Sequence, residues 1–373
     1  MTADQPAADG ETDGDPLRRL QTDHGAVHDA AGRVSHYGRP ERTHLAVRNG
    51  VGVHDSGEGV VVVTGEDRHE FVDDTVTTPV PYEDGTGRYA LLLDPLGRVE
   101  TVMYVFDASA RDRLLLLLSR DQDAALSDDW ASEVFIRDVE VRDGSDDLCM
   151  FGVHGPNATE KVASVFDAVP PEEPLTFVRT ATRDAGATLI VGEALAGEES
   201  YHVVCAREDA AAVFETLLTS GLNAVPFGEV TWETLTLEAG TPLFETELAE
   251  TLPNVAGLQS GFDLDKGCYV GQEVVSRVAN RGRPSRRLVG LRPETVPEAG
   301  ADVMADGEVI GEVTRAARTP TLDMPAAFAH VPYELNRSDL TVKTAEGSVP
   351  AERTTLPFVA GSAQSARVPT YDD

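Results

Sequence analysis

Cysteine is scarce in this chain. Three occur in 373 residues, at Cys149, Cys205 and Cys268, and no two form a Cys-x-x-Cys pair. That spacing argues against a disulfide framework and against a self-contained zinc or cluster site, and it suits the reducing cytoplasm. Lysine is equally rare: Lys161, Lys266 and Lys343 stand against 28 arginines. Long apolar runs are missing. Leu114–Leu118 is strand-sized, far short of the roughly 20 residues that a membrane helix requires. The start is acidic and has no apolar stretch, so residues 1–16 read as a disordered, solvated tail rather than a secretory signal. Positive charge is in deficit throughout, with 64 acidic residues against 31 basic ones and a net charge of −33. The acidic residues are spread along the chain. A distributed negative surface with little lysine fits molar salt, where the Debye length is about 3 Å at 1 M and self-repulsion is screened. It also lacks the basic footprint that nonspecific nucleic-acid binding requires.

What is present reads as an α+β chain. Leu17, Leu20, Val27 and Val34 have helix-like spacing over residues 17–35. Val60–Thr64, Tyr89–Leu93, Val99–Phe106 and Leu114–Leu118 read as strands, with a helix through Phe71 and Val72 and a turn at Asp94–Gly97. Val134–Val141 alternates and predicts a further strand. A second unit repeats the plan: a strand over 147–153, a helix over 158–166, strands at 188–191 and 201–205, and a helix over 209–218 whose inner face carries Ala212, Val213, Leu217 and Leu218. Strands and helices interleave without regular βαβ spacing, which favours α+β over a doubly wound sheet. After about Arg286, short β-like pieces separated by Gly, Pro and Asp predict a small all-β barrel. The expected divisions are residues 17–145, 146–285 and 286–360, with a loose tail over 361–373.

The sharpest local feature is Lys266-Gly267-Cys268-Tyr269-Val270-Gly271-Gln272-Glu273. Two glycines permit a tight turn or a close backbone approach. An ammonium near a thiol favours the thiolate, so Cys268 reads either as a reactive cysteine or as a buried cysteine in a structural turn. Arg277, Arg281, Arg283, Arg286 and Arg287 crowd eleven residues; they read as an anion site or as partners for the acidic surface. His24 and His28 have i, i+4 spacing without a third ligand nearby. Cys149 and Cys205 lie in apolar strand patterns and read as inert core.

The motif KGCYVGQE resembles the signature of YgfZ-type proteins, folate-binding factors that maintain iron–sulfur enzymes. The wider chain resembles the YgfZ/GcvT superfamily over roughly residues 25–360: Leu237-Glu238-Ala239-Gly240-Thr241-Pro242-Leu243 is similar to its RxEAGxPL segment, Gly155-Pro156-Asn157-Ala158 to its GPxA turn, and the stretch from Val47 to Asp55 to its opening. The resemblance implies a GcvT-like fold, with two intertwined α/β subdomains and a C-terminal small β-barrel around a central folate-binding hole that the KGCYVGQE loop faces. It implies tetrahydrofolate as ligand and places redox or thiol chemistry, or a transient sulfur or iron ligand, on Cys268. Lys266 would tune that thiol or bind an anionic group, while Gly267, Tyr269, Gly271, Gln272 and Glu273 would shape and orient the loop. Glu238, Glu198, His202, Arg277 and Arg281 would contact folate, and His54 and Asp55 could contact ligand by analogy with the opening. Partners would be a reduced folate and iron–sulfur client or assembly proteins, with the protein a monomer. The alternative within the superfamily is a folate-dependent aminomethyltransferase of the glycine cleavage T-protein type. Against it, the GGIxDD segment, whose aspartate acts on the folate amine, reads Gly97-Arg98-Val99-Glu100-Thr101-Val102 here, and the second glutamate of GYTGExGxE is His202.

Overall fold

The computed structural model describes residues 15–280 and 283–371. Helix α1 (Pro16–Asp23) starts with Asp15 accepting from the Leu17 N–H and with proline in its first turn, where the missing donor has no intrahelical role. It ends well short of residue 35. Gly25 takes φ +88°, and the chain reverses into a small antiparallel ribbon of β1 (Val27–His28) and β2 (Val34–His36). Val27 and Val34 therefore belong to strands, and His24 and His28 share no helix.

Next come α2 (Pro40–Arg48), β3 (Gly52–Asp55), β4 (Gly59–Thr64), α3 (Arg68–Asp73), β5 (Gly87–Leu93), β6 (Val99–Ala108), β7 (Arg113–Leu118), α4 (Asp123–Glu133) and β8 (Glu140–Asp143). Strands β5-β6-β7-β4-β8 form an antiparallel sheet. Both of its faces are covered, which is why Val60–Val63 and Leu114–Leu118 read as unbroken apolar runs. On one face Val61, Val63, Leu114, Leu116 and Leu118 pack with Phe71 and Trp130. On the other, Val60, Val62, Leu115 and Leu117 pack with Met150, Ile190 and Val204 of the second sheet. The expected strand over Val134–Val141 is a correction: only Glu140–Asp143 is extended. The preceding residues turn the chain back from α4, with Phe135 at φ +44° and both Phe135 and Ile136 exposed.

The second sheet takes β9 (Leu148–His154), β10 (Phe177–Thr182), β11 (Ala185–Val191), β12 (Ser200–Ala206) and β13 (Val225–Phe227), with α5 (Ala158–Val165) and α6 (Ala210–Thr219) among them. Its order is β10-β11-β12-β9-β3-β13. Strand β3 precedes the whole first sheet in sequence yet pairs with β9 and, in parallel, with β13, so the two subdomains interlock. On α6 the inner face is Ala210, Val213, Phe214, Leu217 and Leu218; Ala212 points outward, because Phe214 claims the buried arc.

Helices α7 (Glu229–Glu238), α8 (Pro253–Ala256) and α9 (Gln272–Asn280) lead to the barrel. Strands β14 (Arg286–Pro293), β15 (Asp302–Ala305), β16 (Glu308–Thr319), β17 (Met324–Pro332), β18 (Asp339–Thr344) and β19 (Gly347–Thr354) close in the order β14-β17-β16-β15-β18-β19. The fold is the α+β arrangement with a C-terminal barrel that the sequence predicted. The tail is not loose, however. The Tyr371 hydroxyl accepts from the Leu288 N–H at 2.7 Å and donates to the Val255 carbonyl at 2.8 Å. Ser362 N–H binds the Glu198 carboxylate at 2.8 Å, and Arg367 is buried. The polar side chains that read as solvated instead anchor residues 361–371 across both α/β subdomains and the barrel.

Candidate functional site

A cavity of about 320 Å³ lies where β3, β9, β12, α7, the barrel and the tail meet. That is the lower end of small-molecule sites. One wall is aromatic. The His54 ring stacks on Phe227 at 4.8 Å and on Trp232 at 5.3 Å, and His154 leans on Trp232 at 5.0 Å. His154 can fold back only because residue 152 is glycine: a Cβ there would stand 2.3 Å from its Nε2. Residues Phe244–Leu248 form a single π-turn that directs Phe244, Glu245 and Thr246 at the cavity; such bulges recur at functional sites.

The remaining lining is strongly polar. Arg120 donates to Glu229 at 2.6 Å, and His54 Nε2 meets the same oxygen at 2.9 Å. Arg315, from β16, donates to Thr236 Oγ1 at 2.9 Å and to the Thr241 carbonyl at 2.7 Å. The resemblance leads one to expect an arginine at position 236; the guanidinium arrives from the barrel instead. Arg367, from the tail, donates to the Tyr104 hydroxyl at 2.5 Å and lies over the Tyr89 ring at 4.2 Å. Among the described residues, Arg315 Nε, Arg367 Nε, His154 Nδ1 and His202 Nδ1 are buried without a hydrogen-bond partner. Burial, then Arg367 and His54, hold His202 down at about 4; burial likewise keeps His154 neutral. The cavity thus offers flat aromatic surface beside two arginines and neutral imidazoles, the combination that a heteroaromatic ring with acceptor edges would fill.

Glu229 carries a pH signature. Burial alone would raise its carboxyl, but hydrogen bonds and charge from His54 and Arg120 overcome burial and hold it at about 2. A folded value below the ordinary 4.5 stabilises the fold above pH 4.5, and that contribution fades as pH falls toward 2. At about 1.4 kcal/mol per unit it amounts to roughly 3 kcal/mol at low salt, less in molar salt because the side chain is partly exposed. Denaturant unfolding at pH 5 and pH 3 is expected to show a smaller stability loss for Glu229→Gln than for wild type. Equal losses would remove the ion pair from the account.

The sequence candidates scatter. Among the described residues, only His202 and His54 of those named line the cavity. Glu238 and Glu198 lie outside this lining: both are buried and held by Arg48, which reaches Glu198 at 2.9 Å and Glu238 at 3.2 Å. Glu238 also meets His44 Nε2 at 3.0 Å and accepts from the Thr321 N–H at 3.0 Å, so both carboxylates tie α2, α7 and the tail together. Asp55 accepts from Gln21 at 2.7 Å. Arg277 is exposed on α9, bonded to Glu273; Arg281 lies outside the described residues. Arg283 pairs with Glu334, and Arg286 with Glu312, so these two arginines serve acidic neighbours. His24 pairs with Glu215, and among the described residues no group of His, Cys, Asp and Glu could hold a metal.

The KGCYVGQE loop does not face the cavity; none of its residues lines it. It packs against the Asp94–Gly97 turn instead. Gly271 has φ +80°, and a Cβ there would stand 2.7 Å from the Asp94 carbonyl. Lys266 is buried and donates to the Asp73 carbonyl, with the Asp73 carboxylate at 3.3 Å. Gln272 Nε2 donates back to the Lys266 carbonyl at 3.2 Å, and Tyr269 enters the core between the two sheets. Gly267 has open space around it. Cys268 is exposed, whereas Cys149 and Cys205 are buried, with burial pushing the Cys205 thiol up to about 12. Glu100 is exposed on β6 while Thr101 points inward, and both line a separate cleft with Arg98 and Asp129.

Residues 32–266 match the GCVT N-terminal domain, and residues 286–360 match the glycine cleavage T-protein C-terminal barrel domain. This chain belongs to the glycine cleavage T-protein family. It is 32% identical to the aminomethyltransferase of Streptomyces coelicolor over 79% of this chain and 82% of that one. It is 30% identical to the aminomethyltransferase of Geobacillus kaustophilus, over 77% and 81%. The fold matches glycine cleavage system aminomethyltransferase T from Bartonella henselae with a TM-score of 0.82 at 23% identity, over 94% of this chain and 98% of that one. These relatives support the wider family and favour its transferase branch over the iron–sulfur role that the cysteine motif implies. Within this T-protein fold, sequence reasoning missed Glu58, Arg120, His154, Glu229, Arg315 and Arg367. Glu58 follows the recognisable family opening directly and was within reach; no local pattern marks Arg315 or Arg367.

Proposed function

We propose that this family member binds a reduced folate in the central cavity and transfers an aminomethyl-derived one-carbon unit to it. The observation that carries the reading is the cavity's composition: an aromatic wall of His54, His154 and Trp232 beside the polar side chains of Arg315, Arg367 and His202. A pterin ring supplies a flat face for the first and carbonyl and ring-nitrogen acceptors for the second. The family and its aminomethyltransferase relatives support the reaction class. Calorimetry in molar KCl is expected to give saturable tetrahydrofolate binding with micromolar affinity, about −8 kcal/mol. Trp232→Ala is expected to weaken it by about 1–3 kcal/mol, the scale of base-on-aromatic stacking. No saturable heat with any reduced folate would count against the reading.

A second reading rests on Cys268. It is the one exposed thiol among three cysteines, and it sits in the YgfZ-like motif, so a role in maintaining iron–sulfur enzymes would run through it. Cys268→Ser separates the two. The transferase reading expects unchanged folate binding and turnover. The YgfZ-type reading expects folate binding to persist while rescue of a [4Fe–4S] enzyme such as aconitase fails in cells lacking the protein.

A further inference from the structure

The family places a carboxyl on the strand that here carries Glu100 and Thr101, and neither residue reaches the cavity. Another carboxyl does. Glu58 lies in the turn between β3 and β4 and lines the cavity with Ser56 and His202. Resting on the folate-transferase reading, we propose that Glu58 is the proton carrier of this site. It takes the proton released as a folate amine nitrogen bonds to the carbon of an aminomethyl donor, and it returns that proton to the departing group. No electron acceptor is required: the carbon is joined to two folate nitrogens in two displacements, in each of which one N–H bond and one bond from the carbon to a departing group break while one N–C bond and one bond from hydrogen to that group form, the donor carrier leaving in the first and ammonia in the second, so the proton only changes owner.

The geometry distinguishes Glu58 from the other carboxyls around it. Glu229 is tied to Arg120 and His54 and held ionised at about 2. Glu233 and Glu245 are exposed at the cavity edge. Among the described residues Glu58 has only a long hydrogen bond from Ser56 Oγ, at 3.4 Å, and its ion-pair contact is the His202 imidazole, with Nδ1 at 4.0 Å. With His202 neutral, that neighbour does not fix the carboxylate as an ion. The charged groups facing Glu58 are Arg367 from the tail, Arg120 from the end of β7 and Glu245 from the π-turn. Burial raises its carboxyl to about 7 against the pull of the two arginines, with Glu245 pushing the same way as burial. A group titrating near the working pH is what proton transfer in both directions needs.

The test compares wild type, Glu58→Gln and Glu58→Asp, with tetrahydrofolate and an aminomethyl donor, across pH 5–9. Glu58→Gln is expected to bind tetrahydrofolate within about threefold of wild type and to lose about 10²–10⁴-fold in methylene-tetrahydrofolate formation. The rise in wild-type rate around pH 7 should vanish, and Glu58→Asp should restore part of it. Carbon-13 NMR of the glutamate carboxyls should show one titration near pH 7 in wild type that Glu58→Gln lacks. A Glu58→Gln protein with wild-type turnover and an unmoved pH profile overturns the assignment. A wild type that binds folate but makes no methylene-tetrahydrofolate overturns the transferase reading beneath it; the two failures differ in whether wild type is active.

Discussion

Replacing Arg48 by methionine is expected to lower the unfolding free energy by about 3–5 kcal/mol, the scale for removing one partner of a buried charge pair. Arg48 enters from α2 between two carboxylates that are almost wholly out of water. The side chains of Arg48, Glu198 and Glu238 are 6%, 3% and 0% exposed. The guanidinium also donates to the Ala196 carbonyl at 2.7 Å and to the Leu235 carbonyl at 3.1 Å. Without it, Glu198 keeps only the Ser362 N–H and Glu238 keeps His44 and the Thr321 N–H. Arg318→Met provides the contrast, because its pair with Asp323 is mostly exposed and such pairs contribute about 0–1 kcal/mol. Denaturant titrations at fixed KCl read both variants. A loss for Arg48→Met as small as that for Arg318→Met would contradict the account of this network.

The second large effect is expected in the tail. Removing residues 361–373 takes away Arg367, Tyr371 and the Ser362 N–H together. Glu193 then keeps only the Tyr104 hydroxyl at 3.0 Å, and Leu288 N–H and the Val255 carbonyl lose their shared partner. Arg367 lies across the Tyr89 and Tyr104 rings, and Glu193 is 9% exposed. The single change Arg367→Met is expected to cost about 1–3 kcal/mol, the scale of a lost buried hydrogen bond, by removing the donor to Tyr104 and the cation 3.9 Å from Glu193, and the truncation more. Truncation should also open the cavity wall and weaken folate binding. A truncated protein that melts with wild type and binds folate equally would restore the loose tail that the sequence implies.

The fold was legible where burial is written as a continuous run or a clean period. The leucines of β7 and the valines of β4 are apolar at every position because both faces of their sheet are covered. The barrel strands announced themselves through turn residues. Legibility failed where tertiary context overrode local pattern: a glycine with positive φ ended α1, and a loop borrowed the alternation of a strand at Val134–Val141. The polar tail read as solvated because nothing local encodes Tyr371 meeting β14. The site divides in the same way. His54 and His202 stand in recognisable family segments, and both line the cavity. Glu238 also stands in a recognisable family segment, yet it holds helices together. Arg315 and Arg367 reach the cavity from regions far away in sequence. The KGCYVGQE motif is as ordered as its residues imply, but its geometry is that of a loop seated on the Gly97 turn, with Lys266 bonded to Asp73 and the thiol facing outward.

The most direct test of the central claim is a turnover assay with purified protein in molar KCl, supplied with tetrahydrofolate and an aminomethyl donor and read for methylene-tetrahydrofolate. Formation that saturates with folate and survives Cys268→Ser is the expected result. Folate binding without product, together with a Cys268-dependent loss of iron–sulfur enzyme activity in cells, would contradict the transferase reading and return the function to the cysteine loop.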